Sequence, residues 1–551
     1  MSRFNTRNTR PATGTGPIMT QAQPTGTTHE RQPGYAHDAK SELFLLAVVN
    51  LVGKDTFYEN ADARDGRFEQ LVREVAIADA GWMVRFVSWL RTGGNMRTAS
   101  LVAAVEAVKT RLDAAKAGED LGNGARNREL INAALQRADE PGELLAYWSS
   151  RYGRALPKPV KRGIGDAVRR LYTEYALLKY DTDSRGYRFA DVLDLTHPDA
   201  ASPDQGRLFT YALDRRHGRG GEITGLPMID AQMYVRSEAS RNPETLLDTE
   251  LLRRAGMTWE DALSLAGSRV DKAKLWQALI PTMGYMALLR NLRNFDQAGV
   301  SDEVAERTAA RIADPEQVAK SRQFPFRFLS AYRNVPSLRW GHALEKALTA
   351  SLNTVPALPG RTLVLVDQSP SMFPGYHYST RNSADLSLAD QAKIFGTALA
   401  LRSADATLVG YGHANYRVQF GPGEAVLRLI DKFRMVDGTD SYAAAADHYD
   451  RHDRIVVITD GENNAHRYRS YEAAGIPSHL PIYTWNLAGY KHAGDPGKPN
   501  RLTLGGLTDA AFRLIPLVEA GRNADWDAIF SPAPTNPVLS VGARTVKPSQ
   551  S

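Results

Sequence analysis

The 551-residue chain has no cysteine at all. Disulfides and thiolate metal centres are thereby excluded, and nothing points to an oxidising compartment. Nor does any run approach the roughly 18 apolar residues that a membrane helix needs. The first stretch, "MSRFNTRNTRPATGTGPIMTQAQPTGTTHERQPGY", has scattered arginines but no apolar signal core. A cytoplasmic protein that does not span a membrane is expected. Strand-like alternation is scarce before Leu352, and no Ser/His/Asp or Cys/His set stands in a context that suits nucleophilic catalysis. The twelve histidines read as surface or packing residues, and the chain is expected not to be an enzyme.

What is present divides into two grammars. With 43% hydrophobic and 24% charged residues the composition is that of a globular protein, and the length calls for more than one core. Residues 1–35, rich in Thr, Gly, Pro, Asn and Gln, are expected to be a disordered tail, because they offer too little apolar surface to offset their ordering entropy. Over 36–355, "KSELFLLAVVNLV", "GWMVRFVSWLRT" and "KLWQALIPTMGYMALLRNLRNF" repeat apolar residues at three- and four-residue spacing. Such helical pairs make a bundle or an irregular solenoid, whose curved surface suits extended ligands. From 356 to 540, after Pro356 and Pro359, "TLVLVD", "ATLVGYG", "RIVVITD" and "PIYTWNLAG" alternate with helical segments. That is the pattern of a parallel sheet covered on both faces, with ligands outside the carboxyl ends of its strands. Residues 541–551 are expected to be a flexible tail.

In "RTLVLVDQSPSM" a strand ends in Asp367 and is followed by Ser369 and Ser371. With Thr439 of "DGTDS" and Asp460 of "VITDG" these form an all-oxygen set of low charge. It suits a hard cation, Mg²⁺ or alternatively Mn²⁺, and matches the Asp-x-Ser-x-Ser pattern of a metal-ion-dependent adhesion site. An aspartyl-phosphate phosphatase would place its nucleophile at Asp367 but needs an acid two residues on, where Ser369 stands.

Charge marks a second locus. Between Arg151 and Arg188 ten basic residues face four acidic ones, an excess equal to the net charge of the whole chain, +6. A helix opening near Lys158 would gather Lys158, Lys161, Arg162, Gly165, Arg169 and Tyr172 on one stripe, with Val160, Ile164, Val168 and Leu171 on the adjoining apolar face. A polynucleotide backbone could lie along that stripe, with Gly165 allowing close approach and Tyr172 offering a ring; a solvated face is the alternative.

The chain resembles the Ro autoantigen family of TROVE-domain RNA-binding proteins in a bacterial version. The segments that carry the likeness are "LWQALIPTMGYMALLRNL" (Leu275–Leu292), "SRQFPFRFLSAY" (Ser321–Tyr332) and "GRAL" (Gly153–Leu156). "RTLVLVDQSPSM", "DGTDS" and "VVITDGEN" follow in the family's order, and the likeness runs from about Ser41 to Asp527. It implies a HEAT-like α-helical repeat ring followed by a von Willebrand factor A-like doubly wound α/β domain, in a monomer. It further implies Y-like small RNA on the basic outer surface, and single-stranded 3′ ends of misfolded or decaying RNA in a central hole. Polynucleotide phosphorylase, or another exonuclease, is the implied partner through RNA. By carry-over, Asp367, Ser369, Ser371, Thr439 and Asp460 are the metal site, and Lys158, Lys161, Arg162, Arg169, Arg170, Tyr172 and Arg188 the RNA-binding set. Where animal members read Gly-Trp-Ser-His, "GYRF" stands at Gly186–Phe189. Tyr187, Arg188 and Phe189 are expected to stack on bases and hold phosphates there. A reading from another class makes the metal a recruiter of an acidic residue on a partner protein, with the helical part as platform.

Overall fold

The computed structural model describes residues 26–27, 33–34, 39–50, 61–94, 96–121, 125–182, 186–219, 225–335, 337–373, 387–421, 424–460, 467–468, 470–487, 500–505, 511–522 and 526–530. Within the stretch expected to be a disordered tail, β1 (Gly26–Thr27) pairs antiparallel with β2 (Pro33–Gly34). The rest of that stretch, and 541–551, lie outside the described residues.

A first run of helices comprises α1 (Ala39–Asn50), α2 (Ala61–Ala78), α3 (Ala80–Thr92), α4 (Arg97–Lys116), α5 (Ala125–Ala134), α6 (Glu140–Tyr152), α7 (Lys158–Leu171), α8 (Glu174–Tyr180), α9 (Phe189–Thr196) and α10 (Pro203–His217). A second comprises α11 (Pro227–Arg241), α12 (Thr249–Arg254), α13 (Trp259–Ala266), α14 (Lys272–Leu279), α15 (Tyr285–Ala298), α16 (Asp302–Ala313), α17 (Pro315–Ser321), α18 (Pro325–Asn334) and α19 (Gly341–Ser351). The expected helical periodicity is what packs them. Val160, Ile164 and Val168 of α7 are buried, as are Leu288, Leu292 and Phe295 of α15. The two runs join where Glu174, opening α8, accepts hydrogen bonds from the Met228 and Ile229 amides at the start of α11. The carboxylate satisfies N–H groups that a helix start leaves unpaired.

Beyond Thr354 the chain turns to strands: β3 (Leu358–Asp367), α20 (Leu388–Arg402), β4 (Ser403–Tyr411), β5 (Asn415–Arg417), α21 (Val426–Asp431), α22 (Ser441–His448), β6 (Arg454–Thr459), β7 (Ile482–Asn486), β8 (Arg501–Gly505), α23 (Ala511–Arg522) and α24 (Trp526–Phe530). The six-stranded sheet has the order β5-β4-β3-β6-β7-β8, parallel except for β5, which pairs antiparallel with β4 at the edge. The sheet is therefore mixed rather than wholly parallel. Its central strands alternate between two cores, as a two-residue period requires. Val364, Val366, Val456 and Ile458 face one side with Phe395 of α20 and Phe512 of α23, while Leu363, Leu365, Ile455 and Val457 face the other with Ala444 and Ala445 of α22. Gly396 lets α20 lie close on β3, since a Cβ there would stand 2.5 Å from Val366 Cγ2.

Both ends of the helical array meet this one domain. At the first end, the Trp526 ring of α24 lies 5.6 Å from Phe44 of α1 and 5.2 Å from Trp82 of α3, centroid to centroid. At the last end, Phe326 of α18 lies 5.0 Å from Phe512 and 6.3 Å from Phe395, and Arg333 pairs with Asp390 of α20 at 3.2 Å. Helix α23 serves both ends, and a buried ion pair holds it to the sheet. Arg454 of β6 donates from Nε and Nη2 to Glu519 at 2.6 and 3.0 Å, and from Nη1 to the Pro359 carbonyl and Thr362 Oγ1.

Removing one partner of such a pair strands the other charge. Glu519→Ala should lower stability by about 3–5 kcal/mol in chemical denaturation, whereas Arg454→Met with Glu519→Leu should be much milder than Glu519→Ala alone. Equal losses for the two proteins would show that the pair is not the fastening.

Candidate metal centre and nucleic-acid interface

In a doubly wound sheet the crevice opens where the strand order reverses. Here that point lies between β3 and β6, and Asp367 ends the first while Asp460 follows the second. Asp367 is fully buried. Its Oδ1 accepts from the Ser369 amide at 2.8 Å and its Oδ2 from Thr459 Oγ1 at 2.7 Å, which fixes the carboxylate in one orientation. Ser369 Oγ and Ser371 Oγ are 3.1 Å apart. The loop bearing Thr439 is pinned to the same edge, because the Val436 amide donates to the Gln368 carbonyl at 2.9 Å and the Asp440 amide to the Gly412 carbonyl at 3.1 Å. Gly412 permits this approach, since a Cβ there would stand 2.7 Å from the Val436 and Asp437 carbonyl oxygens. Ser369, Thr439 and Asp460 are all buried.

Burial pushes the Asp367 carboxyl up to about 7; hydrogen bonds from Ser369 and Thr459 pull the other way, and the Asp460 charge adds to the rise. Among the described residues no cation pairs with this carboxylate. Among the described residues no group of three or more His, Cys, Asp or Glu side chains converges, so a cation held here would rely on hydroxyl oxygens. The serine spacing fits that role: adjacent ligands on an octahedral ion with Mg²⁺-like bond lengths stand about 3 Å apart. Sequence reasoning missed Thr459, the carboxylate's orienting partner. Its one signal is a polar residue closing the otherwise apolar "IVVIT" of β6.

The structure divides the basic set. Helix α7 starts at Lys158, and Lys158, Arg162 and Arg169 are exposed and Lys161 half-buried. None of these four takes part in an ion pair among the described residues. The carboxylate of Asp166, on the same helix, is engaged by Arg128 of α5 through two 2.5 Å bonds, so it does not compensate the stripe. Arg154, exposed in the bend before α7, adds a cation that helical spacing along the stripe did not bring in.

Three other residues do different work. Arg170 donates to the Leu135 carbonyl, Asn132 Oδ1 and Gln136 Oε1, fastening α7 to the end of α5. Tyr172 offers no ring to solvent. It is buried and stacks on Phe189, 3.8 Å between centroids and 13° between planes. Arg188 is nearly buried and forks onto Asp181 at 2.8 and 3.3 Å, leaving no free guanidinium for a phosphate. Phe189 likewise belongs to the core, the Tyr187 hydroxyl bonds to Ser149, and Gly165 is buried against Pro198, so the expected stacking and close-approach roles fall away.

A helical array whose two ends meet a doubly wound α/β domain, with an Asp-Ser-Ser cradle at its switch point, defines the class: a helical repeat ring joined to a von Willebrand factor A-like domain. The TROVE domain model matches residues 251–359. The crystal structure of the Deinococcus radiodurans RO (RSR) protein has the same fold, with a TM-score of 0.65 and 18% identity over 89% of this chain and 100% of that one. Telomerase protein component 1 of Mus musculus is 42% identical over 83 residues, and that of Rattus norvegicus likewise. The match covers 15% of this chain and only 3% of the length of those curated relatives. Residues 251–359 thus match the TROVE domain, and the chain has the fold of that Ro structure over 89% of its length.

If the cradle holds one divalent cation, Mg²⁺ or Mn²⁺ will raise the melting temperature by mass action, and Asp367→Ala will abolish that rise. Calorimetry with and without chelator checks this; a wild type indifferent to every divalent ion would leave the loop a turn.

Proposed function

We propose that this protein is a non-enzymatic RNA-binding scaffold of the Ro type. Lys158, Lys161, Arg162 and Arg169 of α7, with Arg154 beside them, would hold the phosphates of a small structured RNA of the Y-like kind. The observation that carries this reading is the uncompensated face of α7: four cations without ion pairs, on the helix that contributes most to the chain's net charge. The TROVE match and the Ro fold support it. Contacts of this kind read backbone and shape rather than base sequence. The helical array, both ends of which meet the α/β domain, would surround a hole able to admit a flexible single-stranded 3′ end but not a folded RNA. A partner exonuclease would supply the chemistry of degradation. The Asp367 cradle would hold Mg²⁺ away from the RNA surface and stabilise the α/β domain.

Each phosphate neutralised releases counterions, so affinity should fall steeply with salt. Changing Lys158, Lys161, Arg162 and Arg169 to Ala should weaken binding of a Y-like RNA by at least tenfold and flatten the salt slope, whereas Asp367→Ala should leave affinity nearly unchanged. Mobility-shift titrations at two salt concentrations measure both. An unaltered slope in the quadruple variant would make the stripe a solvated face and favour the reading in which the cation recruits an acidic protein partner.

A further inference from the structure

Beside the cradle stands a buried hydroxyl that the fold does not use. Tyr411 closes β4 in register with Asp367 of β3, while Thr459 of β6 bonds the same carboxylate from the opposite side. Two residues earlier Leu365 pairs with Val409, and Leu363, Leu365, Val409 and Tyr411 share the core on the α22 side of the sheet. By strand alternation the Asp367 carboxylate and the Tyr411 ring leave the sheet on that same face. Tyr411 also stands where the two loops of the cradle are joined. Its carbonyl accepts from the Gln368 amide at 2.8 Å, and the next carbonyl, of Gly412, accepts from the Asp440 amide at 3.1 Å.

The groups around this hydroxyl are already engaged. Thr459 Oγ1 donates to Asp367 Oδ2, and Tyr471, in the same core with Ala444 and Ala445 of α22, donates its hydroxyl to Ser441 Oγ at 3.2 Å. The Tyr411 hydroxyl is fully buried and has no hydrogen-bond partner among the described residues. Burial raises its pKa far above the usual value, the nearby Asp367 and Tyr471 add to the rise and the Thr459 hydroxyl opposes it, so the phenol stays neutral. An unpaired buried hydroxyl costs free energy, and phenylalanine would fill the same core without that cost.

A partner arrives if the cradle is loaded. Mg²⁺ held by few charged ligands keeps several waters, and each polarised water needs an acceptor. We propose that Tyr411 is a positioning residue of the cation site: its hydroxyl accepts a hydrogen bond from an ion-bound water and so fixes the ion's seat on Asp367. Outer partners of this kind orient a metal's ligands and tune its affinity. The inference rests on the reading of the cradle as a cation site, and it adds a residue that the Asp-x-Ser-x-Ser pattern does not contain.

The test compares wild type with Tyr411→Phe as full chains, titrated with Mg²⁺ or Mn²⁺ by calorimetry and melted in chelator. Loss of the hydroxyl should weaken Mg²⁺ binding about tenfold. The melting temperature in chelator should stay the same or rise by about 1–2 °C, because the variant buries no unpaired hydroxyl. A purely structural role would give the reverse, a lower melting temperature in chelator with unchanged affinity. That result, or equal Mg²⁺ affinity in the two proteins, overturns the role of Tyr411 and leaves the cradle standing. A wild type that binds neither ion overturns both readings, so the two failures are told apart.

Discussion

A stack of helices buries its apolar faces only against neighbours, so its first and last members each have an uncovered side. In this chain one α/β domain covers both. The Trp526 ring meets α1 and α3, the Phe395 and Phe512 rings meet α18, and α23 takes part at each end. The consequence for cohesion is visible in the cores. One continuous apolar cluster runs from Phe44 and Trp82 in the first helices to Val364, Phe395 and Phe512 in the α/β domain. A second joins the later helices to Ile394, Val426 and Ile430 of α20 and α21. The two parts of the chain share cores instead of meeting across a polar surface.

The same domain holds the cradle at the carboxyl edge of its sheet. Asp367 closes β3, whose Val364 and Val366 pack toward α20 and α23, while the loop after the cradle reaches α20 through Lys393, which lies 5.0 Å from the Phe373 ring centroid. A charged, hydroxyl-lined edge and an apolar, array-binding face are thus built from one sheet. Strand alternation makes this possible, because neighbouring residues of β3 serve different surfaces.

What could be read in the sequence was what is local. The strand ending in Asp367, the two serines after it and the helix opening at Lys158 are each set by a few consecutive residues, and they stand where their patterns place them. Burial of Tyr172 was illegible because the ring that covers it, Phe189, comes from another helix. On helical spacing alone, Tyr172 sits at the border between the apolar face and the cationic one. Arg188 looked available because Asp181 reads as one more charge in a basic segment; only the fold brings the two together. The edge strand β5 is three residues long, too short for alternation to register, and its antiparallel pairing corrects the expected all-parallel sheet. Covering of the first helices by the last ones left no mark that a window of sequence could contain.

The bond between Arg513 of α23 and the Gly93 carbonyl at the end of α3 spans 420 residues of chain. On a translating ribosome, at 5–20 residues per second, that separation corresponds to roughly 20–80 s during which α1 and α3 exist without the rings that cover them. The nascent helical array has an uncovered apolar margin for all of that time, until α23 and α24 are made. Closure therefore has to wait for α23 and α24, long after the helices that they cover have been made.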